Sequence, residues 1–205
     1  MRSLVLSVLV AACLAMPAAA DPLPRGPVLI SAPLLAGHMA RVPGIWQCTP
    51  AERQAYMASG LPMGDSLETV RAINGHVRRM MGYRREPADA WHDHALAILT
   101  GRRASGDCED YAITAITMAL CAGVAPERIG IALSGTGSTS RLTNIDHALA
   151  FYDSGTAVYG FADTRVRGVR PIRGGSHGVI IWQTAGSLQR DPKMFYATSA
   201  TPRMN

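Results

Sequence analysis

A cysteine between two carboxylates is the most chemically distinctive feature of this 205-residue chain. Residues 106–111 read Gly-Asp-Cys-Glu-Asp-Tyr, and an apolar run at helical spacing follows them to Leu120. Cys108 therefore falls in the expected first turn of a helix, where the partial positive charge of the free N–H groups favours a thiolate. Asp107 and Glu109 act in the opposite direction, because negative neighbours disfavour a second negative charge. A reactive thiol at this position needs a cation close by.

A downstream hairpin supplies a candidate base and a partner for it. Two alternating stretches over 147–152 and 157–163 predict strands, and Asp-Ser-Gly-Thr at 153–156 predicts the turn between them. Centring that turn on its glycine places His147 opposite Asp163, and directly opposed side chains come within about 5 Å at Cβ. A register shift of one residue would break this pairing.

The three side chains together would form a nucleophile–base–orienter triad. If the strand of His147 packs beside the helix of Cys108, the imidazole reaches the thiol while Asp163 orients the ring. The imidazolium would then be the cation that stabilises the thiolate. Three simpler interpretations stay open: an inert buried cysteine, a structural histidine paired with Asp146, and an aspartate that only ends a strand.

Other histidines compete for a functional role. His177 lies in a Gly-rich stretch and is a second candidate base. His92 and His94 flank Asp93 and suggest a metal site, but on a helix their side chains would point about 200° apart. Surface or helix-capping positions suit these two histidines better.

The elements that must position these residues begin with helices. Residues 65–66 offer a cap for a helix whose apolar residues recur every three or four positions. They are Leu67, Val70, Ile73, Val77 and Met80. A second helix is predicted from about 87–89 to Leu99. The third has Asp107 as its cap and Asp110 three residues later, a capping-box arrangement, and is ended by Gly123.

The remaining elements complete an α+β pattern. A short helix is predicted over 51–59, a strand over 128–133, a loop over 134–140 and a further strand over 178–182. The last twenty residues show no period and are expected to be irregular. Helices followed by a meander of strands predict an α+β fold in which N-terminal helices pack on an antiparallel sheet.

The first twenty residues have the pattern of an export leader. Arg2 forms a positive start, residues 4–14 an apolar segment too short to span a bilayer, and 18–20 a small-residue cleavage site. The stretch 10–13 also resembles a lipoprotein cleavage box with Cys13 as its anchor. The short apolar segment before it favours export without a lipid anchor.

These patterns predict three segments. Residues 1–20 are the signal peptide, 21–64 an N-terminal arm rich in Pro, Gly and Ala, and 65–205 the catalytic domain. We expect the mature protein in the periplasm, without stable membrane insertion, because no later segment is apolar enough to cross a bilayer.

The net charge of +5 does not indicate a nucleic-acid partner. It comes almost wholly from arginines scattered along the chain, whereas nucleic-acid binding favours a concentrated basic stripe with interleaved aromatic residues. A solvated basic surface that favours acidic partners is the better interpretation.

The cysteine count predicts a free thiol in the mature protein. Once the leader is removed, Cys48, Cys108 and Cys121 remain, and an odd number leaves one unpaired within the chain. Cys48 and Cys121 could form a bridge that leaves Cys108 free, but the sequence does not fix the connectivity. The chain has no C-x-x-C pair, which argues against a zinc knuckle or a thioredoxin-like site.

The residues around the cysteine also resemble a known family. Gly-Asp-Cys-Glu-Asp-Tyr-Ala at 106–112 is similar to the active-site motif of bacterial transglutaminase-like cysteine proteinases, which include the LapG-type periplasmic proteases that release biofilm adhesins. The resemblance extends from about residue 67 to 171. Asn74, Tyr83 and Trp91 fall at positions similar to helices that precede the motif in that family. The resemblance implies a papain/transglutaminase-like fold.

The same resemblance implies a role for each residue of the triad. Cys108 would be the nucleophile, His147 the base and Asp163 the orienting acid. The chain departs from the family in having His-Ala-Leu at 147–149 instead of His-Met-Val, and Ala-Asp-Thr at 162–164 instead of Leu-Asp-Asn. These departures leave the triad intact and concern the substrate.

Calcium is the cofactor that the resemblance implies. In that family the acidic residues beside the cysteine bind Ca²⁺, and here they are Asp107 and Glu109, with Asp110 as a third candidate. Clustered carboxylate oxygens suit this ion, and its charge would offset their effect on the thiol. The alternative is that the three carboxylates only complement the helix dipole.

The sequence therefore predicts an exported, calcium-dependent cysteine protease with a Cys-His-Asp triad. Its expected partners are a protein substrate, such as a surface adhesin or another periplasmic protein, and an inner-membrane regulatory receptor. Two alternatives remain. One is a transglutaminase-like acyl transferase or amidase that uses the same triad. The other is a non-catalytic, calcium-dependent binding protein on the same scaffold.

Overall fold

The computed structural model of the chain describes residues 46–86, 91–138, 141–172, 179–190 and 196–198. The predicted signal peptide, most of the predicted arm and His177 lie outside these ranges. The helices are α1 (Pro50–Ala58), α2 (Leu67–Met80), α3 (Ala95–Leu99), α4 (Cys108–Ala122) and α5 (Ala185–Arg190). The strands are β1 (Met81–Tyr83), β2 (Ala104–Gly106), β3 (Ile129–Ser138), β4 (Arg141–Asp153), β5 (Val158–Phe161), β6 (Arg170–Pro171), β7 (Val179–Thr184) and β8 (Tyr196–Thr198).

An antiparallel sheet forms one layer of the fold. In the described part of the chain its order is β6-β5-β4-β3-β7-β8, with antiparallel pairing throughout. β1 and β2 form a separate parallel pair. α4 packs on β3 and β4 and also contacts α1, α2 and α3. Helices packed on an antiparallel sheet confirm the predicted α+β class.

α2 forms where the periodicity predicts it. The side chain of Ser66 accepts a hydrogen bond from the backbone N–H of Thr69 at 3.1 Å, which satisfies one of the free amides of the first turn. Val70, Ile73 and Val77 are fully buried and form the apolar stripe of the helix. This stripe holds α2 against the core and fixes the position of its polar residues.

α4 is the central helix, and it is buried almost all round. Every residue from Glu109 to Ala122 is buried, and the small side chains among them let the sheet and the other helices approach closely. Gly123 ends the helix in the left-handed conformation at φ 93°, as predicted. Because the helix is buried, its terminal backbone groups need partners within the protein.

The C-terminal end of α4 is anchored by the segment that precedes α2. Arg53 donates to the carbonyl oxygens of Cys121 at 3.2 Å and Leu120 at 3.5 Å, and Gly64 N–H donates to that of Ala122 at 2.7 Å. A disulfide joins Cys48 to Cys121 and leaves Cys108 as the free cysteine among the described residues. Of the pairings left open by the cysteine count, this is the one the fold adopts.

The predicted second helix is wrong in its start. The structure begins α3 at Ala95, residues 91–94 are not helical, and 87–90 lie outside the described residues. The backbone N–H of His92 donates to Asp110 at 2.7 Å and that of His94 to Thr114 at 3.0 Å. These amides bind side chains of α4, so the preceding segment follows α4 instead of forming a helical turn of its own.

Two predictions for the C-terminal half are also wrong. The loop predicted over 134–140 is mostly strand, because β3 continues to Ser138 beside the long β4, with register shifts after Ser134 and Thr136. The last twenty residues include β8 and all but the first residue of α5, where an irregular chain was expected. α5 begins because the side chain of Thr184 accepts from Ser187 N–H at 3.0 Å, a capping contact.

Gly130 allows β7 to approach β3, and replacing it should weaken the sheet. A Cβ at this position would lie 2.0 Å from the carbonyl oxygen of Gln183. We expect Gly130→Ala to lower the free energy of unfolding by about 1–3 kcal/mol. Gly82→Ala is the control, because a Cβ there meets no described atom within 4 Å. Urea denaturation checks both variants, and equal effects would contradict this account.

Candidate active site

The side chains of His147 and Asp163 form a buried hydrogen-bonded pair. His147 lies on β4 and is 5% exposed, while Asp163 follows β5 and is 7% exposed. The two side chains meet between Nε2 and Oδ1 at 2.8 Å. The contact expected from the sequence is therefore present, and it is shielded from solvent.

The register that led to this expectation is nevertheless wrong by one residue. Ala150 pairs with Phe161, whereas the predicted centring would have paired it with Gly160. β5 ends at Phe161, and Ala162 adopts a φ of 50° that turns the chain away from the strand. Asp163 thus reaches His147 from a turn and not from a position directly across the ladder.

Asp163 is held in its ionised form. Burial alone raises its pKa, but the hydrogen bonds from His147 and from the backbone N–H of Arg165, 2.8 Å from Oδ1, outweigh burial, so the pKa is lower than usual. A carboxylate only accepts, so Nε2 of His147 must carry the shared hydrogen. This assignment leaves Nδ1 of the ring as the nitrogen that can act as a base.

Cys108 is the first residue of α4 and is partly exposed. Its thiol donates to Oε2 of Glu109 at 3.2 Å. Burial, followed by the charge of Glu109, raises the pKa of Cys108 to about 12, and the backbone N–H of Ala148 acts against this rise. That amide belongs to the residue after His147, so the sulfur borders the strand that carries the imidazole. In this arrangement the thiol is protonated.

Asp107 and Glu109 crowd each other beside the thiol. Burial and the neighbouring Asp107 carboxyl raise the pKa of Glu109 to about 8. Oδ1 of Asp107 and Oε1 of Glu109 are both buried, and no hydrogen-bond partner among the described residues reaches either atom. Two such oxygens can be satisfied by a shared proton or by a bound cation. The donor set therefore fits a hard cation such as Ca²⁺.

Asp110 differs from the other two carboxylates. It is fully buried, and its oxygens accept backbone hydrogen bonds from His92 at 2.7 Å and from Asp107 at 3.2 Å. The second bond is the predicted capping contact. A Cβ on Gly106 would lie only 2.1 Å from Oδ2, so a glycine is needed there. Both oxygens of Asp110 are thus engaged in starting α4.

The carboxylates beside the cysteine are not a compact three-residue cluster. In the described part of the chain, only Cys48, Glu52 and Cys121 bring three ligand atoms within 4.8 Å of one another. Two of those atoms are the sulfurs of the disulfide, which are bonded to each other. A cation at Asp107 and Glu109 would therefore need further oxygen ligands from backbone or water.

His92 and His94, the two other histidines that suggested a metal site, lie in the segment before α3. Nε2 of His92 lies 3.6 Å from Oε2 of Glu86, and burial lowers the pKa of His94. Their ring centroids are 5.9 Å apart. His177 and the side chain of Asp146 lie outside the described part of the structure.

Two contributors to the site escaped the sequence reasoning. One is the amide of Ala148, because a backbone donor leaves no signature in residue type. The other is Glu86, whose backbone N–H lies 3.4 Å from Oδ2 of Asp107. The parallel pairing of Tyr83 with Gly106 carries Glu86 to this place. A three-residue parallel pair has too little periodicity to be recognised in the sequence.

The chain is similar to a known superfamily and to solved structures. Residues 56–149 match the family model of the transglutaminase-like superfamily. Legionella pneumophila LapG is a structural neighbour with 17% identity and a TM-score of 0.42, over 86% of this chain and 87% of that one. Its EGTA-treated form has 17% identity and a TM-score of 0.40, over 78% and 84%. No curated protein matches in sequence. None of the described helices has the length and apolar character to span a bilayer.

The lowered pKa of Asp163 predicts a pH dependence of stability. Its folded pKa lies below the unfolded value of about 3.9, so the folded state binds fewer protons. The contribution of the ionised Asp163 carboxylate is complete above about pH 5 and is lost as the pH falls through the folded pKa. Asp163→Asn should therefore flatten the acid side of the stability curve measured by urea denaturation from pH 3 to 7.

A matched control for this experiment is Glu68→Gln, which removes an exposed carboxylate from the first turn of α2. It should leave the acid side of the curve close to that of the wild type. A wild-type curve parallel to that of Asp163→Asn would contradict the role of the Asp163 carboxylate.

Proposed function

We propose that the protein is a cysteine protease that uses Cys108, His147 and Asp163, and the match of residues 56–149 to the transglutaminase-like superfamily model supports this proposal. The observation that carries the proposal is the buried contact of 2.8 Å between His147 and Asp163, which leaves Nδ1 of the imidazole free to act as a base. The position of the free cysteine beside the Ala148 amide supports it further.

The reaction would proceed by acyl transfer to the thiol. Nδ1 of His147 takes the proton of Cys108, and the thiolate attacks the peptide carbonyl. The imidazolium then protonates the leaving amine, and water hydrolyses the thioester. Asp163 keeps the ring in the required tautomer and stabilises the imidazolium. The backbone N–H of Cys108 lies at the start of α4, where it has no helical acceptor and can bind the oxyanion.

Calcium is part of the proposal because the thiol is held by a carboxylate. The thiol donates to Glu109, and an ionised Glu109 raises the pKa of Cys108, so a thiolate beside an ionised Glu109 is disfavoured. Asp107 and Glu109 would hold Ca²⁺ through their unpartnered oxygens, and the ion would supply positive charge that offsets both carboxylates. Asp110 would stabilise the site by capping the start of α4.

We extend the proposal to location and partners. The leader pattern at residues 1–20 supports export to the periplasm, where a surface adhesin or another periplasmic protein would be the substrate. The family resemblance of the motif around Cys108 supports this substrate class and an inner-membrane regulatory receptor. An oxidising compartment also agrees with the disulfide between Cys48 and Cys121.

Replacing the nucleophile tests the protease proposal. We expect wild-type cells to release or shorten at least one exported or surface protein that stays intact in Cys108→Ala cells, because a missing nucleophile lowers turnover by about 10³-fold or more. Quantitative profiling of surface and secreted proteins is the measurement. Thr156→Ala, in the exposed turn before β5, is the control and should behave as the wild type.

The exported and surface proteins that differ between wild-type and Cys108→Ala cells also distinguish hydrolysis from acyl transfer. Incubation with an amine acceptor should yield cleaved product without incorporated amine. Crosslinked or amine-labelled product in the absence of cleavage would reject the protease in favour of an acyl transferase. Identical protein profiles in wild-type and Cys108→Ala cells would leave neither activity supported.

Removing calcium should lower the melting temperature. At an ion concentration 100 times the dissociation constant, binding contributes about 2.7 kcal/mol, which corresponds to a shift of roughly 5–10 °C for a domain of this size. The double variant Asp107→Asn/Glu109→Gln should lose the shift between Ca²⁺ and EGTA. Glu127→Gln, in an exposed pair with Arg190, should keep it. A wild-type melting temperature that EGTA leaves unchanged would contradict calcium binding.

A further inference from the structure

The turn that carries Asp163 has a strained backbone. Ala162 has a φ of 50°, a left-handed conformation that costs an L-residue about 1–2 kcal/mol. Alanine gives no local reason to adopt it, since glycine is the residue that populates this region freely. Contacts from elsewhere in the fold must therefore hold the turn.

The first of these contacts comes from Asn74 on α2. Its Oδ1 accepts the backbone N–H of Ala162 at 2.9 Å, and the asparagine is only 6% exposed. A buried side-chain amide is costly without a partner. The bond satisfies Oδ1 of Asn74 and the N–H of Ala162, and it fixes the peptide between Phe161 and Ala162 at the start of the turn.

The second contact comes from Arg78, one helical turn further along α2. Nη1 donates to the carbonyl oxygen of Asp163 at 2.7 Å and to that of Val166 at 3.3 Å. Residues four apart share one face of a helix. Asn74 and Arg78 therefore bind the turn on both sides of the carboxylate-bearing residue, one at the amide before it and one at its own carbonyl.

The helix α2, which carries Asn74 and Arg78, is itself fixed in position. Val70 and Ile73, which precede Asn74, and Val77, which lies between Asn74 and Arg78, are fully buried. Core packing thus sets the positions of Asn74 and Arg78 relative to β4 and His147. The side chain of Asp163 is left to make its bond to the imidazole, while Arg165 N–H supplies a second donor to the same oxygen.

We propose that Asn74 and Arg78 are positioning residues for Asp163, which hold its strained turn so that the carboxylate meets Nε2 of His147. The inference rests on the proposed function, because it takes Asp163 as the orienting acid. Both residues act on the turn and, through it, on Asp163. A misplacement of about 1 Å in such a group can lower activity about a hundredfold.

The variants that test this inference each remove, keep or relieve a stated feature of the turn. Asn74→Leu removes the acceptor at similar volume, and Arg78→Met removes the donors but keeps the aliphatic stem. Arg78→Lys keeps a cationic donor. Asn74→Leu/Ala162→Gly removes the acceptor but also relieves the strain, since glycine adopts φ > 0 without steric cost. Arg71→Met, at an exposed position of α2, is the matched control.

Proton NMR of the full-length mature protein gives the first measurement. The hydrogen shared by His147 and Asp163 should give a downfield resonance that is absent in Asp163→Asn. We expect this resonance to broaden or shift in Asn74→Leu and Arg78→Met, and to recover at least in part in Arg78→Lys and Asn74→Leu/Ala162→Gly. Arg71→Met should match the wild type. This signal reports positioning whether or not the protein is a protease.

Alkylation by iodoacetamide at pH 6 in calcium-containing buffer gives the second measurement. In the wild type, Cys108 should react faster than an ordinary thiol, and Asn74→Leu and Arg78→Met should slow it about 10- to 100-fold. A slow wild-type reaction together with NMR shifts in the variants would reject the proposed nucleophile but keep the positioning inference. Unchanged resonances and rates within twofold of wild type, with lower melting temperatures only, would overturn the inference and leave a purely structural role. Should Asn74→Leu fail to fold, the Arg78→Met and Arg78→Lys pair decides alone.

Discussion

The burial of α4 is the constraint on which the rest of the structure depends. A helix surrounded by core on all sides cannot leave its terminal backbone groups to water, so each end needs partners inside the protein. At the C-terminal end these are Arg53, Gly64 and a disulfide. At the N-terminal end they are carboxylates, because negative groups satisfy free amides and suit the positive end of the dipole. The buried carboxylate of Asp110 thus follows from the demands of a buried helix start.

The same acidic surroundings oppose the thiolate form of Cys108. Two like charges about 4 Å apart interact unfavourably by about 4 kcal/mol at an effective dielectric constant of 20, so buried carboxylates and a thiolate do not coexist without compensation. Asp110 meets the need of the helix, since both of its oxygens bind backbone amides. Asp107 and Glu109 each retain a buried oxygen that no described residue hydrogen-bonds, and capping does not require these oxygens. Helix stability accounts for the first carboxylate but not for this excess at the other two.

Local signals in the sequence were enough to predict α2 and α4, because caps and apolar spacing act within a few residues. The α+β class followed from the order of elements, and the transglutaminase-like match confirms the family resemblance at the level of the superfamily. The start of α3 was wrong because the amides of His92 and His94 bind side chains about twenty residues away. No periodicity within a short window carries that information.

The pairing of His147 with Asp163 shows how a correct contact can follow from a wrong register. Turn-centred counting assumed that β5 continues to Asp163, but the strand ends at Phe161. The compensating event is the left-handed conformation of Ala162, and alanine gives no sign of it in the sequence. Asn74 and Arg78, which are distant in the sequence, bind the turn on both sides of Asp163 and favour that conformation.

The choice of alanine at this turn has a physical consequence for the site. Glycine at position 162 would adopt the turn without strain, but it would also leave the peptide before Asp163 free to populate other conformations. Alanine is restricted to one conformation only as long as Asn74 and Arg78 hold it there. The position of the carboxylate is then determined by α2, whose apolar stripe is fixed in the same core as α4. Nucleophile, base and acid come from a helix, a strand and a turn, and this shared core is what sets their relative positions.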